Sequence, residues 1–212
     1  GRGGNDVLSG LVGNDTLDGG DGDDVIEGGK GDDSIIGSIG NDLINGDAGN
    51  DNLAAEEGDD RILGGEGSDN IYLTSNSTWS ALYSALNIET QANVSLTGKT
   101  KCSTVIDGQE DEDTLHLTDS IAGDAFFLHD SYSGIHDSLT AVDDGMGRTT
   151  VARAISLETI NAGDGDDVID LTSPTFDVGG IGMTINGEAG DDTIWAAEGD
   201  DELYGGDDDD IL

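Results

Sequence analysis

Among 212 residues there is one cysteine, Cys102, so no intrachain disulfide can staple this fold. Basic residues are nearly as scarce: Arg2, Lys30, Arg61, Lys99, Lys101, Arg148 and Arg153 are all 7 of them. That shortage excludes the cationic surface by which proteins hold nucleic acid or anionic membranes. No run approaches the ~18 apolar residues that a membrane-crossing helix needs, and the start carries no signal-peptide pattern. Aromatic residues make up 4% and apolar residues 34%. Against the few cations stand 47 Asp and Glu, a formal charge of −40. A chain of this kind repels itself and collapses poorly unless divalent cations neutralise it.

What is present is a period. Residues 1–72 divide into nonapeptides with Gly at the fourth position, Asp at the sixth and Leu, Ile or Val at the eighth. The glycines are Gly4, Gly13, Gly22, Gly31, Gly40, Gly49, Gly58 and Gly67. The aspartates are Asp6, Asp15, Asp24, Asp33, Asp42, Asp51, Asp60 and Asp69. Two units, GGDGDDVIE at 19–27 and GGKGDDSII at 28–36, fit G-G-x-G-x-D-x-U-x throughout, U being a large apolar residue. Glycines permit positive φ and close backbone approach, so G-G-x-G-x-D reads as a tight turn. The x-U-x that follows is too short for a helix and suits a strand that is stable only when copies stack on it.

In such a solenoid successive units face opposite ways, and turns of alternate units lie about 4.8 Å apart. That spacing brings sixth-position carboxylates together. Two carboxylates with turn carbonyls form the hard, all-oxygen cage that Ca²⁺ prefers. These residues resemble the RTX (repeats-in-toxin) calcium-binding nonapeptide repeats of bacterial type I secreted proteins. The resemblance covers 1–72, returns in 187–212, and touches the single units 108–116 and 162–170. It implies an all-β, right-handed parallel β-roll, calcium as cofactor, and an extracellular location, secreted or at the bacterial cell surface. It says little of the parent's activity, since toxins, proteases, lipases, epimerases and adhesins share the motif.

After Tyr72 the register breaks. Short strand-like pieces without a glycine turn, 104–107, 159–161 and 183–186, alternate with full units. The expectation is one roll in three stretches: 1–72, a continuation over 73–186 interrupted by insertions 73–103, 117–158 and 171–183, and 187–212. Alternation would put all three insertions on one edge. The other edge would carry an unbroken ladder of Asp15, Asp33, Asp51, Asp69, Asp113, Asp167, Asp192 and Asp210. The decorated edge would keep Asp6, Asp24, Asp42 and Asp60, with Asp201 facing Met183. This leaves room for about ten calcium ions. Asp111 and Asp208 replace the fourth-position Gly and either strain the turn or add a ligand; Ala55, Ala162 and Ala196 replace the first and need only a permissive φ.

Within the first insertion Trp79, Leu82, Tyr83 and Leu86 share one helical face, with Ser75 or Ser77 as N-cap, which reads as a short amphipathic helix lying as a lid on the roll. Ala125-Phe126-Phe127-Leu128 and 149–155, joined through the turn signal 143–147, read as a hairpin or small sheet. His116, His129 and His136 lie near Asp130, Ser131, Ser133 and Asp137, but no nucleophile elbow, HExxH or spaced Cys/His set accompanies them, so no catalytic residue is assigned. The acidic pairs Asp143-Asp144 and Asp166-Asp167 read as turn or calcium carboxylates. Two function classes stand. One is a calcium-dependent folding module of a large secreted protein, its partners calcium and neighbouring domains. The other is a carbohydrate- or surface-binding part of an adhesin, built from Trp79, Tyr83, Phe126, Phe127 and Tyr132; an accessory module of a secreted enzyme comes third. The sequence begins at position 1 of a unit without Met and stops at position 8 of another, which suggests a longer parent.

Overall fold

A computed structural model describes residues 1–73, 77–78, 84–86, 93–101, 104–117, 123–127, 154–172, 182–197 and 199–212. The first seven units each form a strand longer than the expected three residues, whereas Asn70–Tyr72, Thr114–His116, Val168–Asp170 and Thr193–Trp195 keep to three. The longer strand takes positions 7–9 and continues through positions 1–3 of the next unit, as in Val25–Lys30 and Ser34–Ile39. Position 8 points inward: Ile26, Ile35, Ile44, Leu53, Ile62 and Ile71 are fully buried. Position 1 also faces in, where only a small residue fits, and positions 7 and 9 face out. At position 2 the strand bends through the left-handed region, with φ of 74° at Leu11, 70° at Asp47 and 74° at Glu56. Side chains occupy a conformation there that usually favours glycine.

Successive strands enter opposite sheets, and strands two units apart pair in parallel. A six-stranded sheet runs Val7–Val12, Val25–Lys30, Leu43–Ala48, Arg61–Glu66, Val105–Glu110, Ala154–Ile155. An eight-stranded sheet runs Thr16–Asp21, Ser34–Ile39, Asn52–Glu57, Asn70–Tyr72, Thr114–His116, Thr159–Asn161, Thr184–Ala189, Glu202–Asp207. Register aligns like positions: Leu8, Ile26, Ile44, Ile62 and Ile106 pair in sequence, so the inward side chains stack in columns. The chain is an all-β parallel β-roll, and one apolar cluster reaches from Ile26 to Ile194.

The interrupted half departs from the expected plan. A strand at Ala154–Ile155 closes the six-stranded sheet, and Thr159–Asn161 follows in the eight-stranded one. This extra half-coil lacks the glycine turn and bends at Ser156, φ 53°. It shifts every later unit by one sheet, so Val168–Asp170 and Thr193–Trp195 do not join the eight-stranded sheet. They join Asp124–Phe127, Thr100–Lys101 and Ser77–Thr78 in a third, five-stranded sheet. Segments inside the expected insertions therefore supply roll strands. Nor do the insertions share one edge. The first links the eight-stranded sheet to the six-stranded one, whereas the third links the five-stranded sheet back to the eight-stranded one.

The expected helix is not formed where it can be seen, because Ser84–Leu86 is a strand antiparallel to Asn93–Ser95, and Ser77, a candidate cap, lies in another. Trp79, Leu82 and Tyr83 lie outside the described residues. The expected hairpin is also replaced: Asp124–Phe127 pairs with Thr100–Lys101 and Val168–Asp170, and Ala154–Ile155 with Val105–Glu110. A three-residue apolar run carries no information about its partner strand, which here is chosen by stacking on the roll.

Ile62 sits between Ile44 and Ile106 in the inner column. Ile62→Ala should therefore lower stability by about 2–5 kcal/mol in denaturant unfolding at saturating calcium, whereas Val7→Ser, on an exposed strand, should change it by less than ~0.5 kcal/mol.

Candidate metal centre

The turn before each strand places the sixth-position Asp where the coil closes, and its carboxylate makes two unlike contacts. One oxygen accepts the backbone N–H of the Asp one coil below. Asp6 N donates to Asp24 Oδ1, Asp24 N to Asp42 Oδ1 and Asp42 N to Asp60 Oδ1, at 2.7–2.9 Å. On the opposite edge Asp15, Asp33, Asp51, Asp69 and Asp113 form the same chain at 2.7–2.8 Å, and Asp69 meets Asp113 across 44 residues. The other oxygen is buried and has no hydrogen-bond partner. This holds for Oδ2 of Asp15, Asp24, Asp33, Asp42, Asp51, Asp60, Asp69, Asp113, Asp167 and Asp192.

The orphan oxygens face backbone oxygen. A Cβ added at Gly19 would stand 2.5 Å from Asp24 Oδ2 and 2.6 Å from the Gly37 carbonyl, so these two oxygens converge over one α-carbon. The first-position glycine thus serves space and not positive φ, which corrects the expectation for that position; alanine is also accommodated there, buried at Ala55 and Ala162. The fourth position needs both. Gly40 has φ 144°, and a Cβ there would strike the Gly22 carbonyl. All eight fourth-position glycines of the array, Gly4 to Gly67, have positive φ. The carbonyls converging on the orphan oxygens belong to position 1 (Gly37, Gly46, Gly64), which the repeat pattern alone did not single out.

The expected long ladder breaks at Asp113. Its N–H donates to Glu158 Oε2 at 2.8 Å, while Asp167 Oδ1 accepts from Asp124 N at 2.5 Å. The half-coil shift is the cause: Glu158 leads into the eight-stranded sheet and Asp167 into the five-stranded one. Asp167 does stack on Asp192 and Asp192 on Asp210, so Asp124, Asp167, Asp192 and Asp210 form a separate ladder. Asp201 faces Met183 as expected, its Oδ1 accepting the Met183 N–H at 2.9 Å. Asp60 ends its own ladder against buried Thr104.

Burial raises the carboxyl pKa values from an ordinary 3.8. Asp51, Asp69 and Asp192 are pushed up to about 6, Asp60 and Asp113 to about 7 and Asp167 to about 8. Desolvation is the largest cause in each; the accepted N–H opposes it, and neighbouring carboxylates add to it. A cation inserted between coils would relieve both desolvation and repulsion. Among the described residues no group of three or more His, Cys, Asp or Glu side chains could hold a metal. The donors on offer are pairs of carboxylates from stacked coils, completed by carbonyls, an all-oxygen set that suits a hard cation.

Further residues emerge only with the geometry. Fifth-position side chains form an outer ladder: Asp23 N donates to Asn5 Oδ1, Asn41 N to Asp23 Oδ1 and Asp59 N to Asn41 Oδ1. Asn alternates with Asp along that edge, which separates like charges by two coils; reading every second unit would have exposed it. In the separate ladder near the end the fifth-position column is acidic throughout, Asp166, Asp191 and Asp209. There Lys99, buried and lowered in pKa mainly by desolvation, interacts with Asp166, Asp167, Asp192 and Asp124. Asp111 keeps positive φ, 78°, and accepts the Gly67 N–H at 3.1 Å; Asp208 has φ 83°. His116 stacks on Tyr72 with ring centroids 4.7 Å apart, whereas His129 and His136 lie outside the described residues. Of the aromatics proposed for ligand binding, Phe126 is buried in the core; the other rings are not described.

A family model for the RTX calcium-binding nonapeptide repeat matches four times, over residues 1–35, 36–71, 158–172 and 178–212. The chain belongs to the RTX repeat family. It is therefore a calcium-binding structural region of the RTX type. Comparison with curated proteins gives no match. The segment 104–116, which the RTX model does not reach, is nonetheless a full coil of the roll, with Val105–Glu110 and Thr114–His116 in register.

Two outcomes follow for this RTX roll. Asp42→Asn keeps an oxygen for the Asp24 N–H but removes the charge shared with Asp24 and Asp60. It should weaken two calcium ions together, by about tenfold or more each, in calorimetric titration, while Asp201→Asn should be mild. Loss of a single ion at Asp42 would contradict the stacking. In chelator, the metal-free fold binds more protons than the unfolded chain, because its carboxyls are raised. Stability is then fully present below about 3.8 and lost as pH rises through about 6 to 8. Circular dichroism of protein stripped of calcium and exchanged into calcium-free buffer should show more β signal at pH 5 than at pH 8, and the reverse order would refute this.

Proposed function

We propose that this RTX region is a calcium-triggered folding module of a larger secreted bacterial protein. The observation that carries the reading is the set of buried carboxylate oxygens with no partner, which at Asp15, Asp24, Asp33, Asp42, Asp51, Asp69, Asp113 and Asp192 lie beside a backbone carbonyl. An unpaired buried charge is costly, and a chain at −40 gathers many of them into ladders. Calcium supplies the missing positive charge and fills coordination positions between coils.

The proposed holders are stacked pairs within three ladders: Asp6, Asp24, Asp42 and Asp60; Asp15, Asp33, Asp51, Asp69 and Asp113; and Asp124, Asp167, Asp192 and Asp210. First-position carbonyls are the proposed completing ligands. Where calcium is scarce, as inside a cell, repulsion keeps the chain extended and exportable. Where it is abundant, outside, binding free energy becomes folding free energy.

Far-UV circular dichroism against free calcium tests this. β structure should appear cooperatively with midpoints of roughly 10⁻⁴ to 10⁻³ M, as in other extracellular modules. Magnesium should substitute poorly, since it demands a smaller, near-octahedral site. An unchanged spectrum and melting temperature in excess EGTA at pH 7.5 would sink the proposal.

A further inference from the structure

The middle of the outer face of the eight-stranded sheet, from Asn70 to Asn186, is free of acid in its outward columns. Positions 7 and 9 flank the buried position 8, so they make two outward columns that cross the strands. One column runs Asn52, Asn70, Thr114, Thr159 and Thr184. The other runs Tyr72, His116, Asn161, Asn186 and Tyr204. Neither column holds a carboxylate from Asn70 and Tyr72 to Thr184 and Asn186, in a chain with 47 acidic residues; at the last rung Glu202 follows Thr184 and accepts the Tyr204 hydroxyl at 3.0 Å. The corresponding columns of the six-stranded sheet include Glu27, Arg61 and Asp107. Strand propensity alone does not separate the two faces, since both occupy the same repeat positions.

The side chains in the neutral strip hold one another in place. The Tyr72 ring lies nearly parallel to His116, at 11°. Asn161 Nδ2 donates to His116 Nδ1 at 3.4 Å, which makes that nitrogen the acceptor and leaves Nε2–H to donate to Asn70 Oδ1, also at 3.4 Å. Asn186 Nδ2 donates to Asn161 Oδ1 at 2.7 Å. Each amide brings two donors and two lone pairs, and this row uses only part of that capacity. Tyr72 is 40% exposed and Tyr204 53%. The result is a rigid row of amides and hydroxyls with an aromatic ring near each end, and pre-set groups lose little freedom when a ligand docks.

We propose that this face, from Asn70 and Tyr72 to Tyr204, binds an uncharged oligosaccharide chain lying across the strands. Sugar hydroxyls exchange hydrogen bonds with amides and hydroxyls, and the C–H face of a pyranose packs on a tyrosine ring. The strands repeat every ~4.8 Å, close to the advance of one pyranose along a chain, so successive sugars meet successive rungs. Charge selects the class. With 47 acidic residues against 7 basic ones the roll stays negative even with about ten Ca²⁺ bound, so its field repels polyuronates and sulfated glycans, and a cationic ligand finds better partners at the carboxylate edges. This goes beyond the calcium reading and needs only that the roll be folded.

The test is affinity gel electrophoresis of the whole chain at saturating calcium, in gels containing dextran, galactomannan, xyloglucan or polygalacturonate, after circular dichroism has confirmed the fold. At least one neutral polysaccharide should retard the protein and polygalacturonate should not. Tyr72→Ala and Tyr204→Ala should each weaken retardation about tenfold, and Glu27→Ala, on the other sheet, should leave it unchanged. Tyr204→Ala, the more exposed site, keeps the test decisive if Tyr72→Ala fails to fold. Three results would overturn the proposal: no retardation by any neutral polysaccharide, retardation indifferent to both tyrosines, or a self-association in sedimentation that the tyrosine variants abolish. Failure of the calcium reading would show earlier, as β structure that persists in chelator.

Discussion

Everything in this fold depends on carboxylates stacked one coil apart with half of each oxygen pair left unsatisfied. The N–H that each Asp accepts fixes where its carboxylate points, and that geometry buries the second oxygen against the carbonyl of the next coil. A hydrogen bond thus aims the charge and leaves the second oxygen without a hydrogen-bond partner. Inward columns of Ile and Leu supply the apolar side of the same coils, but each coil offers only a short strand to that core. A fold so thin in apolar surface and so rich in like charge is one that a cation between its turns would stabilise. The family assignment and the orphan oxygens agree on what that cation is.

Three glycines of one motif turn out to do three jobs. The first leaves room for the carboxylate five residues on and for a carbonyl from the neighbouring coil, as at Gly19. The second sits at a bend that Leu11, Asp47 and Glu56 also adopt, so it is the position most open to replacement. The fourth needs positive φ and an empty Cβ position together, as at Gly40. The pattern of substitution in this chain follows that order, with varied residues at position 2 and glycine in all eight units at position 4 in the first array.

Charge management extends beyond the candidate sites. Fifth-position Asn between Asp residues dilutes repulsion along the outer ladder. In the last coils, where that column is wholly acidic, a buried lysine reaches the same cluster. The middle of the outer face of the eight-stranded sheet, from Asn70 to Asn186, carries no acid in its outward columns, whereas Asp18 and Glu202 stand toward its ends.

The period alone determined the strand, the inward residue, the alternation of edges, and the pairing of Asp6 to Asp60 and Asp15 to Asp69, because a strict nine-residue repeat admits one stacking. It even carried Asp69 to Asp113 and placed Met183 against Asp201. What it could not determine was where the coils go once the repeat is broken. Ala154–Ile155 carries no glycine turn and no Asp to mark it as a strand, yet its pairing with Val105–Glu110 shifts Asp167 into a third sheet and gives Asp113 a glutamate neighbour. Local pattern encodes which face of a strand is buried; which strand lies beside it is settled by long-range stacking, and only the tertiary structure holds that information.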